Sequence, residues 1–312
     1  MPDKVSVIGA GNVGATCADV MAQREVAKEI VLLDIKEGVA EGKGLDMWET
    51  APINHFDSKV TGVTNDYKAT ADSDVVVITS GMPRQPGMTR DDLISKNSAI
   101  VKEVTENVVK HSPNAIIVVV ANPLDVMTYQ THLTSGFSDS KVFGMAGILD
   151  TARYRAFLAD ELQCSPKDIQ AMLMGGHGDT MVPLPRYTTV GGIPVTELVS
   201  KQRLDEIIER TKKGGGEIVN LLGTSAWYAP GAASAQMVEA IVRDQKRVFP
   251  VCARLSGQYD LDNIYLGVPV KLGNQGIEKI YELDLNDEEM KLVHNSAEHV
   301  KEVMQVLDRV GS

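Results

Sequence analysis

Gly9, Gly11 and Gly14 fall in a G-x-G-x-x-G spacing, directly after the apolar run VSVI and at the opening of a helical pattern. In such a turn the first glycine permits the tight bend and the second lets a pyrophosphate approach the backbone. The third lets helix and strand pack closely. Free N–H groups at the helix start then face the anion, so Gly9, Ala10, Gly11, Asn12, Val13 and Gly14 form the expected phosphate cradle. The next apolar run, IVLLD, ends on Asp34, where a carboxylate would bind the adenine ribose hydroxyls and repel a 2′-phosphate. The order strand, turn, helix, strand, acid predicts a dinucleotide site that takes NAD. Lys36, close by, leaves the strictness against NADP open.

Of the six histidines, His55, His111, His132, His294 and His299 have no distinctive surroundings and read as surface or packing residues. His177 differs, because the run MLMGGHGDT presents its imidazole on a glycine-flanked turn. Imidazole is the natural proton carrier near neutral pH when another group fixes its tautomer. GILDTARYR offers Asp150 for that task, although the same residue could be a helix N-cap. Arg153, three residues on, would share a helix face with Asp150. Nothing in the residue order alone brings His177 to that pair. A third group, GMPRQPGMTR at residues 81–90, hangs Arg84 and Arg90 on a segment whose glycines and prolines forbid regular structure.

These groups need a scaffold, and the first half of the chain supplies an alternating one. Val5–Ile8, Ile30–Leu33, Val60–Val63, Val75–Thr79, Ile116–Val120 and Val142–Phe143 read as strands, several apolar on both faces. Helical patterns at Val13–Gln23, Glu37–Thr50 and about Thr89–Lys110 lie between them. This predicts an α/β fold, a doubly wound parallel Rossmann sheet over residues 1–145. Residues 146–312 read as a mixed α+β substrate-binding domain, closely packed on the first. There, helical patterns at Leu204–Thr211 and Glu217–Leu222 flank Gly214–Gly216. A hairpin-like region, Val248–Val270, precedes a final amphipathic helix, Asp287–Arg309.

Bulk composition narrows the partners. With 31 basic and 42 acidic residues the formal charge is −11, which disfavours nucleic acid or an anionic membrane as partner. Cys17, Cys164 and Cys252 are scattered, a poor disulfide framework and a poor zinc site, so a reducing compartment and no metal are expected. The N-terminal residues run straight into a strand pattern without a targeting leader, and the densest apolar run is too short to span a bilayer. The expected location is the cytoplasm.

Taken together, G9-A-G-N-V-G14, M82-P-R-Q-P-G-M-T-R90, V120-A-N-P-L-D125, L149-D-T-A-R153 and G175-G-H-G-D179 carry a resemblance over essentially the whole chain. In order and spacing they resemble the lactate/malate dehydrogenase superfamily, and within it the malate-type members of the lactate-dehydrogenase-like group. The segment GTSAWYAPGAA from Gly223 is similar to that group's helix lining the active site. The resemblance implies that His177 accepts the proton and is oriented by Asp150, and that Arg153 holds the substrate's C1 carboxylate. It implies that Arg90 polarises the reacting carbonyl from a mobile loop. It gives Arg84 the choice between substrates, since malate enzymes carry arginine there and lactate enzymes commonly glutamine. Asn122 is implied to bind substrate, with Val120 and Ala121 facing the nicotinamide ribose. Asn97 is implied to contact the cofactor, and Ser225 to lie near substrate and nicotinamide. Dimers or tetramers are implied as well.

On that footing the loop arginines have a physical purpose. Malate and oxaloacetate carry two carboxylates; one pairs with the guanidinium fork of Arg153, and the second would be buried without a counter-ion unless Arg84 met it. A monocarboxylate such as pyruvate would leave Arg84 without a partner, so discrimination comes from repulsion too. Arg90 would stabilise charge developing on the C2 oxygen, and the glycines and prolines suit a closing lid. Three rivals stand beside this reading. A lactate or other 2-hydroxy-acid dehydrogenase is opposed by Arg84. An NAD-dependent glycoside hydrolase would need a metal-binding cysteine where Ala121 stands. A non-catalytic NAD-binding protein would have no use for His177, Asp150 and three arginines.

Overall fold

Parallel strands that are apolar on both faces need helices on each side, and the chain supplies them in alternation. The computed structural model describes residues 3–82 and 89–310, less the side chains of residues 90 and 308–310. β1 (Lys4–Ile8), α1 (Asn12–Gln23), β2 (Glu29–Asp34), α2 (Val39–Glu49), α3 (Ala51–Asn54) and β3 (Lys59–Thr64) build one flank. β4 (Val75–Ile78), α4 (Arg90–His111), β5 (Ile116–Val119), α5 (Leu124–Ser135) and β6 (Val142–Gly144) build the other. The six strands pair in parallel in the order β3-β2-β1-β4-β5-β6, with Val5 opposite Ile30 on one side and Val75 on the other. Val5, Val7, Ile30, Leu32, Val75 and Val77 are fully buried. The connections diverge between β1 and β4. A ligand therefore has a crevice over the carboxyl ends of those two strands.

The second half continues with α6 (Gly147–Leu162), β7 (Ile169–Gln170), β8 (Leu173–Met174), β9 (Val182–Pro183), β10 (Thr189–Val190) and β11 (Ile193–Pro194). α7 (Val195–Leu198), α8 (Lys201–Leu222) and α9 (Tyr228–Val242) follow, then β12 (Arg247–Ser256), β13 (Asp262–Gly273), β14 (Gly276–Ile280) and α10 (Asp287–Val310). The expected hairpin is present as β12 and β13, but it does not stand apart. β12 pairs antiparallel with β6 through Cys252 and Gly144, so one nine-stranded sheet runs through both halves of the chain. A side chain at Gly144 would close that seam, since a Cβ there would lie 2.6 Å from Thr128 Oγ1 and 3.1 Å from Cys252 Cβ.

The expected break at Gly214–Gly216 is absent: α8 is one continuous helix of 22 residues. Its buried positions, Leu204, Ile207, Thr211 and Gly214, recur on one face, and Leu204 and Ile207 join Tyr154 and Leu158 of α6 in a second core. Three adjacent glycines cost a helix about 1 kcal/mol each relative to alanine, so tertiary packing overrides local propensity here.

Candidate active site

The three glycines of the first loop differ in what a side chain would meet. Gly9 has φ +109°, and a Cβ there would stand 2.7 Å from Thr79 Oγ1 at the end of β4. A Cβ on Gly14 would fall 1.9 Å from the Gly9 carbonyl, so that glycine sets how closely α1 lies on β1. Gly11 has nothing within 4 Å of its Cβ position, and no side chain caps α1 there. An open approach to uncapped helix N–H groups fits a pyrophosphate. Asp34, at the end of β2, accepts the Ala10 N–H at Oδ2 (2.7 Å) and the Lys36 N–H at Oδ1 (2.9 Å). Lys43 Nζ donates to the Ala10 carbonyl (2.8 Å), so an acidic and a basic side chain hold the two peptide groups that flank the Ala10 Cα at the cradle's lip. The residues present therefore fit NAD.

The histidine turn leaves β8 at Gly175, whose φ is +88° and which exchanges backbone hydrogen bonds with Gly267 of β13. His177 Nδ1 lies 2.9 Å from Asp150 Oδ2, and the carboxylate is 2 % exposed while the imidazole is 20 % exposed. Asp150 sits in the first turn of α6, whose N-cap is Ala146, so it caps nothing and its oxygens go to His177 and Arg153. With Nδ1–H donated to Asp150, the opposite nitrogen Nε2 is left as the proton-exchanging atom. Burial alone would depress the imidazole, but the Asp150 carboxylate, with Asp125 behind it, outweighs burial and raises His177 above its ordinary value. That places the group where it can gain and lose a proton during turnover.

Arg153 Nη1 lies 3.4 Å from Asp150 Oδ1, with its side chain 12 % exposed. Its aliphatic stem occupies the space beside Gly214 of α8, where a Cβ would come within 2.2 Å of Arg153 Cδ. His177, Asp150 and Arg153 thus lie together, a placement that residue order alone left open. Arg84 lies outside the described residues, as does the side chain of Arg90. The backbone of Arg90 opens α4 behind a capping box in which Thr89 and Asp92 bond reciprocally. Asn97, on α4, is buried and uses its amide within the protein. It accepts the Met82 N–H (2.8 Å) and donates to the carbonyls of Met82 (3.2 Å) and Asn122 (2.7 Å). Val120 and Ala121 are buried after β5, whereas the Asn122 side chain is exposed. Ser225 is exposed in the turn between α8 and α9; the helix itself starts at Tyr228 and packs on α1, with Gly231 against Thr16.

One group was not singled out from the sequence. Asp125, in the first turn of α5, accepts the His177 backbone N–H at Oδ2 (3.1 Å) and the Cys252 thiol at Oδ1 (3.2 Å). Its place in the NPLD run was visible, but nothing local marks its partners. Cys17, Cys164 and Cys252 are free, and burial pushes the Cys17 thiol up to about 12, where it is inert. Among the described residues, no group of three or more His, Cys, Asp or Glu is arranged to hold a metal ion, and no helix is long and apolar enough to cross a membrane.

A nucleotide crevice beside a histidine–aspartate–arginine cluster defines a dehydrogenase-type site, and comparison with known proteins agrees. Residues 3–144 match the NAD binding domain of lactate/malate dehydrogenase, and residues 148–308 match its alpha/beta C-terminal domain. The chain belongs to the lactate/malate dehydrogenase family. It is 72% identical to a malate dehydrogenase of Cytophaga hutchinsonii, over 98% of both chains. A solved malate dehydrogenase from Salinibacter ruber superposes with a TM-score of 0.95 at 57% identity, covering 98% of each chain. A lactate dehydrogenase from Cryptosporidium parvum, solved with lactic acid and the cofactor, gives 0.94 at 38% identity, covering 99% of this chain and 98% of that one. The fold is therefore common to both substrate classes.

Proposed function

We propose that this chain catalyses the reversible, NAD-dependent oxidation of (S)-malate to oxaloacetate. The observation that carries the chemistry is the 2.9 Å contact between His177 Nδ1 and Asp150 Oδ2, with Arg153 on the same carboxylate. The substrate is read from the arginine at position 84 and from malate dehydrogenases at 72% and 59% identity.

In malate oxidation His177 takes the C2 hydroxyl proton at Nε2, and Asp150 remains ionised and stabilises the imidazolium. Arg153 holds the C1 carboxylate in a paired contact, Arg84 meets the distal carboxylate, and Arg90 steadies the charge on the C2 oxygen. Gly9 to Gly14, Asp34, Val120, Ala121 and Asn122 hold the dinucleotide, with Asn97 serving the cofactor site through its bond to the Asn122 carbonyl and with Asn122 and Ser225 reaching toward substrate. NAD, when bound, supplies the acceptor for the hydride that leaves C2. Oxaloacetate reduction runs backward and starts from protonated His177. Residues 1–145 form the cofactor-binding part and 146–312 the substrate-binding part of this assignment.

The enzyme acts in the cytoplasm as a dimer or tetramer, without nucleic acid or membrane as partner. The reading is tested by following NADH consumption with oxaloacetate and with pyruvate. Oxaloacetate should be strongly preferred; a preference for pyruvate would overturn the substrate assignment.

A further inference from the structure

The histidine of this site is held at two points, and only one of them belongs to the pair that moves the proton. Asp150 holds the ring from α6. Asp125 holds the main chain of the same residue from α5, through the His177 N–H. The turn is also pinned by Ser296 of α10, which accepts the Gly176 N–H (2.8 Å).

We propose that Asp125 is a positioning residue for His177, its ionised carboxylate fixing the peptide and lending a second negative charge to the imidazolium. Both of its oxygens act as acceptors, Oδ2 from an amide N–H and Oδ1 from the Cys252 S–H, the pattern of a carboxylate rather than a carboxylic acid. The carboxylate is buried. Burial, with the nearby Asp150 charge, raises its carboxyl above the ordinary range, and His177 and the Cys252 thiol pull the other way and favour the charged form. The groups facing the histidine are Asp150 and Arg153 from α6, Asp125 from α5 and, behind Asp125, Cys252 from β12. Asp179 of the same turn and His299 of α10 line the same cavity of about 460 Å³.

The placement has a functional consequence. Asp125 is three residues beyond Asn122 and five beyond Val120, so one short segment carries the cofactor-side backbone, the substrate amide and the histidine clamp. Settling of the cofactor against residues 120–122 would thereby be felt at His177 through a single rigid turn.

This inference rests on the proposed function, and its test separates the two. Asp125→Asn keeps an acceptor for the His177 N–H and removes the charge. The pH limb of malate oxidation that reports His177 should move down by about half a unit, and oxaloacetate reduction above that limb should slow about threefold. KM for oxaloacetate and the affinity for NADH should stay within about twofold, since no binding contact is touched. Asp125→Ala, which removes the acceptor as well, should lower kcat by a further factor of about ten. If Asp125→Asn does not fold, Asp125→Ser reads the same quantity. The His177 ring titration, followed by NMR in the NADH complex, should show the same downward shift without any substrate. An unmoved titration, or activity that falls only in step with melting temperature, would overturn the inference. Wild-type protein inactive toward oxaloacetate would instead overturn the functional reading and leave the titration test standing.

Discussion

Gly214 and Arg153 occupy each other's space: a Cβ on the glycine would sit 2.2 Å from Cδ and 2.7 Å from Nε of the arginine. The helix α8 gives up a side chain so that the arginine proposed to hold the substrate carboxylate can lie along it. Gly214→Ala should favour the isolated helix by about 1 kcal/mol yet displace Arg153, raising KM for oxaloacetate about tenfold or more while NADH binds normally. Gly215, with nothing within 4 Å of its Cβ position, is the control. Gly215→Ala should raise stability by about 0.5–1 kcal/mol in a denaturation series, with KM unchanged.

The two arginines of residues 81–90 were assigned from the sequence, and Arg84 can be tested without reference to geometry. Arg84→Gln should cost oxaloacetate several kcal/mol of transition-state binding, about a hundredfold or more in kcat/KM, because one carboxylate loses its counter-ion. Pyruvate, with no second carboxylate, should lose little or gain. Equal losses for both substrates would remove Arg84 from the clamp.

The raised His177 value sets the direction of the pH dependence. Below the ordinary value near 6.5 the imidazole is protonated both folded and unfolded, and its contact with Asp150 contributes fully to stability. That contribution fades as pH rises through the higher folded value. Oxaloacetate reduction, which needs the imidazolium, should fall over the same interval, and malate oxidation should rise. In Asp150→Asn the carboxylate no longer opposes burial, so both limbs should move to lower pH. A limb that stays put in this variant would show that another group is being titrated.

The phosphate cradle allows architecture and ligand binding to be separated. Gly14→Ala forces a contact of 1.9 Å with the Gly9 carbonyl and should destabilise the fold along with NADH binding. Gly11→Ala meets nothing within 4 Å and should leave the melting temperature unchanged while weakening NADH about tenfold or more by obstructing the approach. Calorimetric binding and thermal melts on the two variants would decide it.

Local patterns made much of this molecule legible. The cradle, Asp34 and the strand–helix alternation were readable because each depends on neighbours in sequence. Asp150 and Arg153 were readable as a pair because a helix brings such neighbours to one face. What could not be read depends on distance along the chain. The bond from Asp150 to His177 spans 27 positions and was supplied by family resemblance, not by spacing. The Asp125–Cys252 contact spans 127, the single Cys252–Gly144 pairing joins the hairpin to the sheet, and both went unread. The helix α8 was split in two because glycines carry a helix penalty, and only the presence of Arg153 beside Gly214 explains why one of them is tolerated. The Asn97 amide ties Met82 to Asn122, a bridge no linear pattern reveals.

The central claim is that His177 exchanges the proton and takes no part in holding NADH. The most direct measurement is the rate of NADH oxidation by oxaloacetate in His177→Asn, with NADH affinity determined on the same sample. Turnover should fall about a thousandfold or more while NADH affinity stays within about twofold. A variant that keeps its rate within about tenfold of the wild type would contradict it.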